Sequence, residues 1–300
     1  MNNNVLSCIM AYYPGKEFKT VCDIIARQTT FLLIIDNSPD CSLTTSDFLM
    51  PDNAIIVSNK NNGAVAGALN IGLELAIFKK FDYLQIFDQD TMLPPNLTES
   101  LIKNIQARAN AAIISPRFIN SSTNFPGRVL AYTSKWWVKS YWPKNNIGII
   151  DALFTISSAS IIDIKKLPEN TYYDRKLYID GCDVDFCLHL QNLGFDILVD
   201  TSNCVYHGIG SRKKGGGRWS ATNYSPFRKQ LGAKNRIIVW RRYITKYPGF
   251  IINDCFVFTL DIARTIMFEE EKFAKIKAIF IGIYQGMQEK EIHHRNYIIK

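Results

Sequence analysis

The chain has 300 residues, 47% of them apolar, and 35 Lys and Arg against 27 Asp and Glu, a formal charge of +8. That balance excludes global disorder and leaves room for one large α/β domain, or for a catalytic domain with an extension. The seven cysteines form no CxxC pair and no zinc-spaced Cys/His cluster, which excludes a zinc module and reads as a reduced, cytosolic set.

The N-terminal MNNNVLSCIMAYYP lacks the charged flank and long apolar stretch of a signal peptide. No apolar run approaches the roughly 20 residues of a spanning helix. Val5–Ala11 reads as a strand, 16–28 as a helix and Phe31–Asp36 as a strand. Then come a strand at 54–59, a helix at 65–79, a strand at Tyr83–Asp88, a helix at 96–108 and a strand at 111–118. This alternation predicts an α/β fold with parallel strands, right-handed crossovers and helices on both faces. Ligands bind such sheets beyond the carboxyl ends of the strands. Residues 119–149 are polar, punctuated by Gly and Pro, and read as a long excursion with clustered Trp136, Trp137, Tyr141 and Trp142. A strand at 150–156, a helix at 183–193 ended by Gly194, and a strand at 195–200 follow. After a basic, glycine-rich SRKKGGGRWS segment the chain turns helical, basic and aromatic from about Tyr224.

Five places carry chemistry. In FDQDT, Asp88 and Asp90 leave the end of an apolar strand two residues apart, so both carboxylates can converge on one hard divalent cation that keeps open positions for phosphate oxygens. A solvated acidic turn is the alternative. Asp36 ends the strand FLLIID ahead of the turn formers Asn37, Ser38 and Pro39; it either caps that turn or accepts the imide N–H of a uracil or thymine ring. In NKNNGAVAGALNIGL, Asn62-Gly63 supplies a tight turn and Gly67 lets a helix N-terminus approach a ligand. In YIDGCDVDFCLHLQNLG, Asp180, Asp183 and Asp185 lie at a helix N-terminus, where the dipole favours acids; three exceed what capping needs, and one can take a proton from an attacking hydroxyl. His207, past the strand at 195–200, is either structural or a third metal ligand.

In this order, NNGAVAGALNIGL, FDQDT and YIDGCDVDFCLHLQNLGF resemble the inverting family 2 glycosyltransferases of the GT-A fold over residues 5–210. They look most like the bacterial rhamnosyltransferases that assemble surface polysaccharides. The resemblance implies a mostly parallel central sheet with flanking helices: a catalytic domain at 1–210, its donor part about 1–118 and acceptor part about 119–210, then a basic loop and helical extension at 211–300. It implies that Asp36 binds the pyrimidine base, that Asn62, Gly63 and Asn70 shape the donor pocket, and that Asp88 and Asp90 form a DxD motif binding Mg2+ or Mn2+. It implies further that His207 lies near the metal and diphosphate and that Asp183 is the catalytic base, ionised at neutral pH on its reference pKa of about 3.9. The implied donor is dTDP-β-L-rhamnose and the acceptor a lipid-linked glycan of O-antigen type, in lipopolysaccharide synthesis. A UDP-hexose or UDP-N-acetylhexosamine donor is the alternative. Ser158-Ala159-Ser160 stands where a glycine-bearing turn is usual in this family.

In the C-terminal third, Arg212, Lys213, Lys214, Arg218, Arg228, Lys229, Lys234, Arg236, Arg241, Arg242 and Lys246 interleave with Trp219, Tyr224, Trp240, Tyr243 and Phe250. This pattern suits anionic headgroups or a lipid diphosphate, and so a cytoplasmic protein peripheral on the inner face of the bacterial membrane. A non-catalytic basic membrane- or nucleic-acid-binding protein would show it too, but would leave three acidic clusters idle, so nucleic acid is not an expected partner. A sugar-1-phosphate nucleotidyltransferase expects a glycine-rich loop after the first strand, where this chain has Ala11-Tyr12-Tyr13-Pro14-Gly15.

Overall fold

The computed structural model describes residues 3–41, 43, 50–121, 123–207 and 223–290. Its elements are β1 (Val5–Ala11), α1 (Phe18–Ala26), β2 (Phe31–Asp36), β3 (Ala54–Ser58), α2 (Ala64–Phe78), β4 (Tyr83–Asp88), α3 (Leu97–Gln106), β5 (Ala111–Asn120), β6 (Val129–Ser134), β7 (Trp137–Tyr141), β8 (Ile149–Asp151), β9 (Ile161–Asp163), α4 (Cys182–Asn192), β10 (Asp196–His207), α5 (Pro226–Tyr243), α6 (Pro248–Phe268) and α7 (Lys272–Gln288).

Eight strands form one sheet in the order β3-β2-β1-β4-β9-β5-β10-β8, and β6 and β7 form a separate hairpin. β3, β2, β1, β4, β5 and β10 run the same way, while β9 and β8 are antiparallel to their neighbours. The sequence of β1, VLSCIMA, has no polar face because both faces are covered. Its side chains alternate as a strand requires: Leu6, Cys8 and Met10 join Leu69, Leu73 and Phe186 of α2 and α4 on one face. Val5, Ile9 and Ala11 join Phe18, Ile25, Leu101 and Ile105 of α1 and α3 on the other. The expected parallel α/β sheet with helices on both faces is what the chain builds.

The middle of the chain departs from the sequence reading in three ways. The strand expected at 150–156 is only β8, paired to the outer edge of β10. The three-residue β9, without a periodic signal of its own, inserts between β4 and β5 through Gln85↔Ile161 and Ile114↔Ile161. β10 runs on past residue 200 because its register with β5 jumps from Asp200↔Pro116 to Cys204↔Arg117, a bulge whose polar groups gather on the Asp200 carboxylate through Ser202, Asn203 and Asn104. The resumed strand ends with His207 opposite Asn120.

α5 and α6 each carry Pro at the first turn, and the Ser225 hydroxyl caps α5 by accepting from Arg228 N. Both add to the core on the α2/α4 side through Ile238, Val239, Tyr243, Phe250 and Ile251. α7 lies close on α5: a Cβ at Gly282 would stand 2.1 Å from Gln230 O, and one at Gly286 2.6 Å from Lys234 O. The basic residues of this third are tied within the chain. Arg228 pairs with Asp180, Lys229 with Asp261 and Glu269, Lys234 with Glu289, Arg236 with Asp254, and Arg242 with Asp174 and Asp185. Arg241 and Lys246 donate to backbone carbonyls. Much of the basic row thus serves contacts within the chain; Arg212, Lys213, Lys214, Arg218 and the SRKKGGG segment lie outside the described residues. Among the described residues no helix is long and apolar enough to cross a membrane.

Candidate active site

The registers Ala11↔Asp36 and Met10↔Asp88 put the carboxyl ends of β2, β1 and β4 side by side. At the usual strand spacing, Asp36 and Asp88 are then about 10 Å apart across β1. A cavity of about 540 Å³ opens there, between Met10, Ala11, Tyr12, Asn37, Asp88 and Gln89 at the sheet ends, Asn61, Ala64 and Val65 at the start of α2, and Ser225, Phe227, Arg228 and Leu231 of α5. Tyr13, Asn61, Ala64 and Tyr178, in or beside its walls, hold φ of 45°, 56°, 46° and 59°. Such left-handed non-glycine residues cluster where surrounding structure over-determines the backbone, most often at functional sites.

The residues expected to serve a nucleotide divide into cavity residues and supports. Asp36 is 1% exposed and its two oxygens accept from Ser38 N and Leu43 N, both at 2.9 Å. It braces its turn, and its neighbour Asn37 reaches the cavity wall. Asn37 Oδ1 accepts from Asn59 Nδ2 at 2.6 Å. Asn62 is exposed and outside the cavity lining; Asn61 takes that place, donating to the Tyr178 hydroxyl at 3.2 Å. Gly63 begins α2 with φ 70°. Asn70 is buried and clamps the backbone of Tyr173, donating to its carbonyl at 2.9 Å and accepting its N–H at 2.8 Å.

Gly67 is required, but for a different reason than ligand approach. A Cβ there would stand 1.9 Å from the Asn62 carbonyl oxygen, so what approaches it is the chain's own loop. Gly67→Ala must push back either that loop or the first turn of α2. We expect a loss of about 1–3 kcal/mol in urea denaturation, with weakened nucleotide binding; unchanged stability would refute the close contact.

In the acidic turn, Thr91 N donates to Asp88 O at 3.2 Å, and Gln89 Oε1 accepts from Tyr12 N at 2.6 Å. Asp88 is half-buried and Asp90 exposed. The Thr91 hydroxyl shares a buried 2.7 Å hydrogen bond with Ser158, and Met92 bridges to Tyr206 by paired backbone bonds. The backbone of His207 is thereby carried beside the turn; its side chain lies outside the described residues. Two carboxylates from one turn, Asp88 in the cavity wall and Asp90 exposed beside it, suit a magnesium- or manganese-like ion that completes its shell with phosphate and water. Among the described residues no group of three or more His, Cys, Asp or Glu is arranged to hold a metal.

The three acids before and in α4 have separate fates. Asp180 forms a two-pronged ion pair with Arg228, at 3.2 and 3.1 Å. Asp185, fully buried, accepts from Arg242 at 2.9 Å and from the Tyr243 hydroxyl at 3.1 Å. Asp183 has no ion pair among the described residues; its Oδ2 accepts from Ser157 N at 3.2 Å. Burial pushes its pKa up to about 6, and the charge of Asp88 adds to the rise, while the Ser157 N–H opposes it. The carboxylate is therefore more basic than its reference value implied, and still mostly ionised at pH 7. Tyr173 stacks on Phe186 at 4.0 Å and steadies the helix behind it.

Sequence reasoning missed Ser157, Asn61, Tyr178 and Arg228. Each carried some signal: Ser157 follows the end of an expected strand, Asn61 and Tyr178 stand inside the NKNNGAVAGALNIGL and YIDGCDVDFCLHLQNLG motifs, and Arg228 belongs to the basic row. The neighbouring Ala159 takes φ 62°, the conformation for which a glycine-bearing turn is usual.

Known proteins resemble this chain as follows. The dTDP-rhamnosyl transferase RfbF of Shigella flexneri is 22% identical over 249 residues, 81% of either chain. The glycosyltransferase GlyG of Streptococcus pneumoniae serotype 4 is 28% identical over 120 residues, 38% of this chain and 39% of that one. Among solved structures, GalNAc-T7, crystallised with UDP, GalNAc and Mn2+, superposes with a TM-score of 0.61 at 14% identity, covering 96% of this chain. The chain spans 56% of that structure's length, and the likeness identifies the fold as GT-A. The family model for glycosyl transferase family 2 matches residues 18–167, half the chain, and the protein belongs to that family.

Proposed function

We propose that the protein is an inverting transferase that moves L-rhamnose from dTDP-β-L-rhamnose to a hydroxyl of a lipid-linked glycan, in surface polysaccharide synthesis. The observation that carries it is Asp183: a carboxylate without a cation partner among the described residues, its pKa raised to about 6, close enough to Asp88 to feel its charge. The choice of donor rests on the likeness to RfbF.

In this reading residues 1–118 bind the donor, 119–210 contribute to the acceptor side, and 211–300 extend them. The nucleotide lies in the cavity beyond β1, β2 and β4, with its diphosphate towards Asp88-Gln89-Asp90. A divalent cation held by Asp88 and Asp90, with His207, would offset the charge of the departing diphosphate. The acceptor oxygen bonds to the anomeric carbon as the bond from that carbon to the diphosphate oxygen breaks, and the nucleotide leaves with the electron pair. Asp183 takes the hydroxyl proton, and attack from the face opposite the leaving group gives the α-L-rhamnoside.

Asp90→Ala should abolish the metal dependence of dTDP affinity in calorimetry, with the melting temperature unchanged because Asp90 is exposed. Metal-linked binding at wild-type strength in that variant would remove Asp90 from the cation site. Docking on the inner face of the membrane belongs to the same proposal. Its support is the exposed Phe256, Phe273, Phe280 and Tyr284 of α6 and α7, Phe273 being 87% exposed, rather than the basic row.

A further inference from the structure

We infer that a second cavity, beside the donor cleft, is a subsite for one uncharged pyranose ring of the acceptor. The inference deepens the transferase reading and rests on it. The cavity measures about 330 Å³ and lies between the start of α4 and the helices α5, α6 and α7. That volume is at the small end of ligand sites, right for a single sugar residue.

Arg228 lines both cavities. Its guanidinium lies 4.0 Å above the Tyr224 ring and grips Asp180 with two hydrogen bonds. Arg228 thus forms part of the wall between donor cleft and second cavity, and Asp180 and Gly181 lead directly into Asp183. Asn235, buried beside this wall, donates to the carbonyls of Leu177 and Asp180 and fixes their segment.

The chemistry of the walls selects the ligand. Phe154, half-buried and backed edge to face by the buried Phe250 at 5.7 Å, gives an apolar surface against which a sugar's C–H face packs. The ions around the cavity are matched in pairs: Arg228 with Asp180, Arg236 with Asp254, Lys229 with Asp261. A charged ligand would break one of these pairs, whereas hydroxyl groups can share the paired oxygens without displacing a partner.

Gly232 supplies the independent observation. Glycine inside a helix weakens it and needs a reason. Gly282 and Gly286 have one, the backbone of α5 pressed against them. Gly232, within α5, does not: among the described residues a Cβ there would meet only Asp180 Oδ2, at an ordinary 3.8 Å, and its φ is not positive. Packing tolerates a side chain at 232; what its absence preserves is the open volume of the cavity.

The test is Gly232→Leu in the full chain. Methyl glycosides of L-rhamnose, D-glucose, D-mannose and N-acetyl-D-glucosamine are titrated by saturation-transfer NMR, with dTDP and Mn2+ titrated separately by calorimetry. We expect wild type to bind at least one glycoside, Gly232→Leu to bind it about tenfold or more weakly, and dTDP affinity and melting temperature to hold or rise. Should Leu fail to fold, Gly232→Ala takes its place with a smaller loss in the same direction. Equal glycoside affinity in the folded variant, or dTDP binding with no glycoside bound by wild type, overturns the subsite alone. Absence of both dTDP and glycoside binding overturns the transferase reading and the subsite with it.

Discussion

Asp183→Asn is expected to lower the transfer rate by about 10²–10⁴-fold, the usual contribution of a general base, while leaving dTDP affinity within a small factor of wild type. An asparagine oxygen still accepts the Ser157 N–H, so the turn is kept and only the proton acceptor is lost. The wild-type rate should fall about tenfold per pH unit below about pH 6, where Asp183 becomes protonated, and the variant's residual rate should lose this limb. Stability should move the opposite way. A carboxyl whose pKa is raised on folding stabilises the fold fully below its unfolded value near 3.8, and that contribution is lost as pH rises through about 6. At pH 8 the substitution should therefore stabilise by about 1–3 kcal/mol, and below pH 4 it should be neutral. Equal loss of transfer and dTDP binding would mean that Asp183 supports the fold of the cleft and takes no proton.

Arg242→Ala should be the most destabilising single change in the C-terminal third, at about 3–5 kcal/mol. Its guanidinium joins Asp174 at 2.6 Å and Asp185 at 2.9 Å, two carboxylates that are 4% and 0% exposed. Burial alone would lower the arginine's pKa, but the charges of Asp185 and Asp174 raise it well above the usual range. Removing the cation leaves two buried negative charges, with Tyr243 still donating to one of them. Adding Asp174→Asn and Asp185→Asn to the arginine variant should restore much of the loss, because the cost lies in unpaired charge. Lys19→Ala, which breaks the exposed pair with Asp23, should change stability by less than about 1 kcal/mol. If the two substitutions cost the same in urea denaturation, the buried network is not what joins α4 to α5.

How far the site could be read from the chain depended on the range of the forces involved. β1, β2 and β4 are apolar runs ended by turn formers, so Asp36 and Asp88 could be placed at strand ends without a structure. β9 could not, since three residues acquire a strand identity only from β4 and β5 on either side. The acids Asp180, Asp183 and Asp185 look equivalent in sequence. They differ because Arg228 and Arg242, 48 and 57 positions away, neutralise the outer two. That these arginines hold carboxylates was not legible either, because nothing local reveals that their partners lie in and before α4. Asn62 and Asn70 resemble donor-pocket residues by position. In the fold, Asn62 offers its carbonyl to Asn59 Nδ2 and Asn70 its side chain to Tyr173, so each supports the cavity from outside its lining.

The reading as a whole depends on nucleoside diphosphate binding across the ends of β1, β2 and β4, and calorimetry of the wild-type chain measures that directly. With Mn2+ present, dTDP should bind, EDTA should weaken it by about tenfold or more, and a single-stranded oligonucleotide should not compete. Binding of the oligonucleotide in place of dTDP, or dTDP affinity indifferent to the metal, would contradict it.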